Sequence, residues 1–370
     1  MAEKVRVGVI GTGAISAAYL GMAKNFPIVE MAACADMNLE AAKKKADEFN
    51  IPKVCTVDEL LKDDSIQLVL NLTIPKAHVP VAMKIVEAGK HMYVEKPLGI
   101  DREEGRKLVE AAKKKNLRIG CAPDTFMGTG IQTARKVIED GTIGKPVAFG
   151  AFMMSRGPET WHPNPQFYYE KGGGPMFDMG PYYLTALLNL LGPVKRVSGM
   201  TAIEIPDRMI TSEPKNGTKI SVETPDHVCG LMEFQNGVVG TIIQTFAVRF
   251  SEFGGKHPIT IFGTDGTMKV PDPNTFDGPV FVRRTEDADW REIEPPFVKG
   301  YGRSIGLADM AYAIRSGRKH RCSAEQAYMV LDLLAGFFDS SESEKSYKPV
   351  AAYEKPAAMP GHLPFGTLDD

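Results

Sequence analysis

An amine at Lys96, a carboxylate at Asp178 and a phenol at Tyr182 are the side chains here that could act together on an alcohol. Lys96 ends the run His91-Met92-Tyr93-Val94-Glu95-Lys96-Pro97, which reads as a short apolar strand delivering a carboxylate, an amine and a proline in succession. At the carboxyl end of a parallel strand such a lysine faces a ligand crevice, although an ordinary surface lysine before a turn has the same local sequence. Asp178 and Tyr182 stand at i and i+4 where a helical stretch begins, so they share a face. An acid complementing the helix dipole and a core tyrosine would show the same spacing. Alcohol oxidation needs a base for the hydroxyl proton and a positive charge for the developing alkoxide. A free tyrosine titrates at about 10, and a nearby ammonium lowers that value. Tyr182 is therefore expected as the acid/base and Lys96 as its electrostatic partner, with Asp178 binding a substrate hydroxyl or holding the lysine. His162 competes for the proton, since it lies in a loop with Arg156 and Trp161 and titrates in the right range. It could equally be a loop histidine held by Pro163 and Pro165. Asp124, Thr125, Arg156 and Trp161 are further candidates for substrate contact.

The hydride acceptor is indicated upstream. Val5 to Ile10 is a β-branched run that ends at Gly11-Thr12-Gly13-Ala14-Ile15-Ser16, and an alanine-rich helical stretch follows. Strand, glycine turn and helix in that order form a dinucleotide-binding context. Gly11 permits the tight turn, Gly13 lets the backbone approach a pyrophosphate, and the amides from Ala14 and Ile15 open towards that anion. Ser16 replaces the third glycine and is still small enough for helix–strand packing. Asp36, at the end of the next strand and 23 residues past Gly13, is placed for the ribose hydroxyls. Met37-Asn38 rather than arginine follows it, so NAD is favoured over NADP; alternatively Asp36 only caps the helix from Leu39. Thr73 and Pro75 end a central strand, and with His78, Glu95 and Lys96 they complete the expected cofactor-binding set.

Further runs at 67–72, 91–95 and 118–122 join those at 5–10 and 29–35 in alternating with helical stretches, five runs in the pattern of a doubly wound parallel sheet for which six strands are expected. From Asp124 the pattern changes to an irregular segment over 156–174 and then to period-two runs at 194–205, 219–234, 238–250, 258–262, 267–270 and 279–284. The expected fold is an α/β Rossmann domain over 1–123, an α+β domain with a large open, mainly antiparallel sheet over 124–346, and an extended arm over 347–370. Val222, Val228, Met232, Ile242 and Phe246 suggest an apolar outer sheet face and hence a sheet-mediated homo-oligomer. Lys+Arg 44 against Asp+Glu 46 gives no reason to expect nucleic acid or an anionic membrane. The start runs straight into a strand without a signal peptide, and no apolar run is long enough to span a bilayer, so a cytoplasmic protein is expected. Five scattered cysteines fit a reducing compartment, and no His/Cys/carboxylate spacing supports a metal.

The glycine turn, the Glu95-Lys96-Pro97 triplet and Gly172-Gly173-Gly174-Pro175-Met176-Phe177-Asp178-Met179-Gly180 occur in the order that resembles the glucose–fructose oxidoreductase/inositol dehydrogenase (Gfo/Idh/MocA) family. The resemblance covers nearly the whole chain. It implies NAD-dependent oxidation of a secondary hydroxyl of a sugar, with Lys96 near the reacting hydroxyl and a Lys-Pro bond that is often cis. The family motif usually ends in a histidine acid/base where this chain has Tyr182, a departure similar to the branches in which tyrosine fills that role. Trp161-His162-Pro163-Asn164-Pro165 and 174–183 look like a subgroup that oxidises glucosides at C3. An inositol or free-aldose dehydrogenase and a ketosugar reductase remain open within the family. A non-catalytic dinucleotide-binding regulator is the reading from another class, against which the presence of Lys96 and Asp178 argues.

Overall fold

A computed structural model describes residues 3–361 and 363–369; positions 1, 2, 362 and 370, which the expected domains and arm include, lie outside the described residues. In chain order the first elements are β1 (Val5–Ile10), α1 (Ser16–Ala23), β2 (Val29–Ala35), α2 (Leu39–Phe49), β3 (Val54–Cys55) and α3 (Val57–Lys62). Next come β4 (Leu68–Asn71), α4 (Pro75–Glu87), β5 (His91–Val94), α5 (Arg102–Lys114), β6 (Ile119–Cys121) and α6 (Thr129–Glu139). They are followed by β7 (Pro146–Met154), α7 (Gly174–Asp178), α8 (Gly180–Leu191), β8 (Val194–Ala202), β9 (Asp207–Met209) and β10 (Lys219–Ser221). The chain continues with β11 (His227–Phe234), β12 (Val239–Thr245), β13 (Ile259–Gly263), β14 (Gly266–Val270), β15 (Val280–Arg284) and β16 (Arg291–Ile293), and ends with α9 (Ile305–Ser316) and α10 (Ala324–Ser343).

The contacts divide the chain into two compact units, Met1–Thr129 with Pro296–Tyr328 and Pro356–Asp370, and Gly130–Pro295 with Met329–Lys355. This division differs from cuts at 123 and 346, because later segments return to the first unit. Arg315 donates to the carbonyls of Glu3 and Lys4 at 2.8 and 2.6 Å, and Gly120 of β6 bridges to Ser323. Such contacts join residues about two to three hundred positions apart, beyond any local periodicity.

In the first unit six strands form a sheet in the order β3-β2-β1-β4-β5-β6, all pairs parallel. β1, β4 and β5 are nearly fully buried on both faces, which is why they read as continuous apolar runs rather than alternations. Strand order reverses between β1 and β4, and ligands bind outside the carboxyl ends at such a switch point. Local signals set the helix starts. Pro75 occupies the first turn of α4, and the Asp101 carboxylate caps α5 through the Glu104 amide at 2.9 Å.

The second unit holds an eight-stranded sheet, β16-β15-β14-β13-β7-β12-β11-β8, in which only β12–β7 is parallel, and a separate β9–β10 pair. The stretch expected as one strand at 219–234 is therefore two strands in different sheets. The alternation in β8, β11 and β12 is real, but the expected outer face is the covered one. Val228 and Ile242 are 0% exposed, and Met232, Phe246 and Val222 are also buried. Phe337 of α10 packs there, as a Cβ built on Gly230 would lie 2.3 Å from its ring. The opposite parity faces outward, with Met200, Leu231, Val239 and Phe262 exposed. A period of two groups residues by face without saying which face a distant helix will cover. α8 starts at Gly180 instead of Leu184, and a break at Met179 separates it from the short α7. All five cysteines are unpaired, four of them buried. No described helix is long and apolar enough to cross a membrane.

Candidate active site

The cofactor half is built at the carboxyl edge of the first unit's sheet. Gly11 has φ +96, and a Cβ there would lie 2.7 Å from the Leu72 carbonyl carbon and oxygen, so only glycine fits against β4. A Cβ on Gly13 would meet nothing within 4 Å, which leaves that backbone open to an approaching group. The Ser16 hydroxyl donates to the Gly13 carbonyl at 2.7 Å, fixing the turn where a third glycine was not needed. Asp36 accepts from the amide and hydroxyl of Thr12 at 2.7 and 3.0 Å and from the Asn38 amide at 2.9 Å. Burial pushes its pKa up, but these hydrogen bonds outweigh that and hold it below the usual carboxylate value. Asn38, not Asp36, caps α2, accepting from the Glu40 and Ala41 amides. The glycine turn and the acid thus form one hydrogen-bonded unit.

Thr73 and Pro75 follow β4, with the Thr73 hydroxyl donating to Asn71 at 2.7 Å. Lys96 and Pro97 follow β5 through a cis peptide bond. Two of the expected cofactor contacts are interior struts. The Glu95 carboxylate accepts from the Tyr19 hydroxyl and the Lys96 amide, both at 2.8 Å, with Arg303 3.7 Å away. His78 is 1% exposed, with its ring nitrogens against the carbonyls of Pro97 and Thr73. Tyr19 and Arg303 were absent from the sequence-derived set, since no local pattern distinguishes a helix tyrosine that bonds from one that merely packs.

Asp124 and Thr125, expected as substrate contacts, lie out of solvent at 0% and 1% exposure. Asp124 Oδ2 accepts the Ser304 and Gly306 amides at 3.1 Å at the start of α9. Burial raises its pKa to about 6.

The other residues expected to meet substrate, from Arg156 to Tyr182, belong to the second unit. The expected irregular segment contains two 3-10 turns, Pro158–Thr160 and Gln166–Tyr169. Trp161 is 65% exposed and edge-on to His162, whose ring also meets Phe167 and Tyr168. The Asn164 amide donates to His162 Nδ1 at 3.0 Å. Burial lowers the His162 pKa, while the Asp178 carboxylate raises it. Asp178 ends α7, and Tyr182, buried at 4% exposure, lies in the first turn of α8. Arg156 is exposed and gives its carbonyl to Arg208 at 3.0 Å. Arg208 is the residue that sequence reading missed here. Its guanidinium also bonds Glu159 at 2.8 Å and Asp226 at 2.7 Å and lies over the Tyr169 ring, so it fastens the loop carrying Trp161 and His162. Among the described residues no cluster of three metal-ligating side chains occurs.

Comparison with known proteins agrees with this architecture. Residues 5–122 match the family described as "Oxidoreductase family, NAD-binding Rossmann fold", and residues 131–269 match the "GFO/IDH/MocA C-terminal domain". Levoglucosan dehydrogenase of Pseudarthrobacter phenanthrenivorans is 27% identical over 295 residues, 72% of this chain and 73% of that protein. Myo-inositol 2-dehydrogenase of Thermotoga maritima is 24% identical over 346 residues, covering 87% and 98% respectively. A solved structure of levoglucosan dehydrogenase with NADH and levoglucosan superposes with a TM-score of 0.80 at 23% identity, over 94% of this chain and 100% of that one.

Proposed function

This chain belongs to the Gfo/Idh/MocA oxidoreductases, with an NAD-binding Rossmann domain, and on that premise we propose that it oxidises a secondary hydroxyl of a sugar or glycoside. Hydride leaves the carbinol carbon for the nicotinamide, the hydroxyl proton goes to the protein, and a ketone remains. The observation that carries the reading is one sheet edge bearing both a glycine turn open to a pyrophosphate and, two strands away, Lys96. The Thr12–Asp36 bonds support NAD over NADP, because a carboxylate held ionised repels a 2′-phosphate.

In this reading Lys96 stabilises the developing alkoxide and Tyr182 takes the proton, with Asp178 binding a neighbouring hydroxyl. His162 is disfavoured as the base. With the Asn164 amide on Nδ1, the neutral ring carries its proton at Nε2 and has no open lone pair. Its Nε2–H suits donation to a substrate oxygen, beside Trp161. A glucoside oxidised at C3 is the finer substrate assignment, and the levoglucosan dehydrogenase likeness favours an anhydrosugar or glycoside over a free sugar. The inositol dehydrogenase likeness supports a cyclitol as the second reading. The outward Met200, Leu231, Val239 and Phe262 offer a surface for a sheet-to-sheet homodimer.

Lys96→Met and Tyr182→Phe should each lower kcat at least about 100-fold while NADH still binds. Near-normal turnover in either variant would sink its assigned role. Glycosides, levoglucosan, free aldoses and inositols assayed side by side decide the substrate class; turnover only with inositols or free aldoses replaces the glycoside reading.

A further inference from the structure

His78, in the first turn of α4, has each ring nitrogen against a backbone carbonyl. Nδ1 lies 2.6 Å from the Pro97 oxygen and Nε2 2.9 Å from the Thr73 oxygen. A carbonyl oxygen only accepts, and a neutral imidazole has one N–H and one lone pair. Either neutral tautomer would therefore set a lone pair against a carbonyl oxygen at hydrogen-bonding distance. The imidazolium alone donates at both ends.

The two carbonyls belong to the loops after β4 and β5, the two that flank the cofactor edge beyond the glycine turn. Lys96 precedes Pro97 directly, and its own amide is already fixed by Glu95 at 2.8 Å. The lysine backbone is thus held from one side by Glu95 and from the other through His78. We propose that His78 is a positioning residue for Lys96, a doubly hydrogen-bonded imidazolium that clasps the Thr73 loop to the Pro97 loop. The inference rests on the reading of Lys96 given above.

Burial is the largest influence on this ring and draws its pKa below the ordinary imidazole value; the Pro97 and Thr73 carbonyls and the Glu95 carboxylate pull it up, and the Lys96 ammonium pulls it down. The clasp is then closed at both ends in acid. As pH rises through that lowered pKa the ring loses one proton and one end opens. The shorter Pro97 contact identifies Nδ1–H as the bond retained.

Nitrogen-15 histidine labelling of the full chain reads the ring directly. The His78 signal, identified by its absence in His78→Gln or His78→Asn, should show two protonated nitrogens in acid and one lone pair above a midpoint below about 6.5. NADH affinity, followed by fluorescence, should weaken through the same midpoint in the unmodified protein, a step missing in His78→Gln. That variant should lose about 10- to 100-fold in kcat with the sugar KM held within about twofold. A ring that stays neutral down to pH 5, or an unchanged kcat in a folded His78→Gln, overturns the proposal. Should the variants not fold, NADH affinity of the unmodified protein still decides, because an absent acid-side step defeats the clasp. Undiminished turnover in Lys96→Met would overturn the reading of Lys96 instead, and the ring spectra, which need no substrate, would judge the clasp separately.

Discussion

Arg208 meets Asp226 at 2.7 Å with both side chains almost wholly out of solvent, 2% and 0% exposed. The same guanidinium holds Glu159 and the carbonyls of Arg156 and Phe246, so a buried cation is satisfied on several sides and fastens the segment 156–169. Removing one partner of such a set leaves an uncompensated buried charge. Arg208→Met should lower stability by about 3–5 kcal/mol and expose 156–169 to limited proteolysis. Urea unfolding that shows a loss under about 1 kcal/mol would mean that the loop is held elsewhere.

The cofactor preference is tested at Asp36. Asp36→Ser removes the charge that opposes a 2′-phosphate and the acceptor for Thr12. The ratio of kcat/KM for NAD over NADP should fall by about tenfold or more. An unchanged ratio would return Asp36 to a purely structural role in the turn.

Asp124 gives a pH signature of folding. Its folded pKa of about 6 lies above an unfolded value of roughly 3.9. Between these values the folded chain binds more protons, so this group's contribution to stability is full in acid and is lost as pH rises through about 6. The difference amounts to about 3 kcal/mol at most. Asp124→Asn retains an acceptor for the Ser304 and Gly306 amides, and its melting temperature should decline less than the parent's from pH 4 to 7. Parallel pH curves would count against a shifted Asp124.

Asp124 also marks where sequence reading stops. A polar residue just after the sixth strand looks like a crevice residue, and its partners lie 180 and 182 positions away. The Rossmann half was legible because its signals are local: Gly11 and Gly13 in one turn, Asp36 one strand on, Pro75 opening a helix. β3, only two residues long, carries no pattern to detect. In the second unit the alternation showed which residues share a face, and a helix from the end of the chain decided which face was covered. Lys96, Asp178, Tyr182, His162 and His78 could be named as candidates from type and place in the chain, whereas Arg208 and Tyr19 have partners that no spacing reveals.

The outward sheet face yields a prediction about assembly. Leu231 is 57% exposed and Met200 78%, an arrangement that a second copy would cover. Leu231→Asp should shift the mass measured by light scattering to that of one chain while leaving the melting temperature of a dilute sample nearly unchanged. Identical masses for parent and variant would remove this face from consideration.

The return of 296–328 and of the segment from Pro356 to the first unit bears on how the protein is made. Tyr301 stacks between Phe26 and Phe365, and Arg318 pairs with Asp369 at 2.6 Å. The Rossmann unit therefore lacks part of its packing until residues 365–369, translated well after residue 129, are available. Its β6 edge is likewise shielded only when the Cys322 carbonyl arrives to accept the Cys121 amide at 3.1 Å. Nascent chains halted near residue 295 would carry that edge open, so the parallel sheet waits on segments made after the second unit's strands before it is completed.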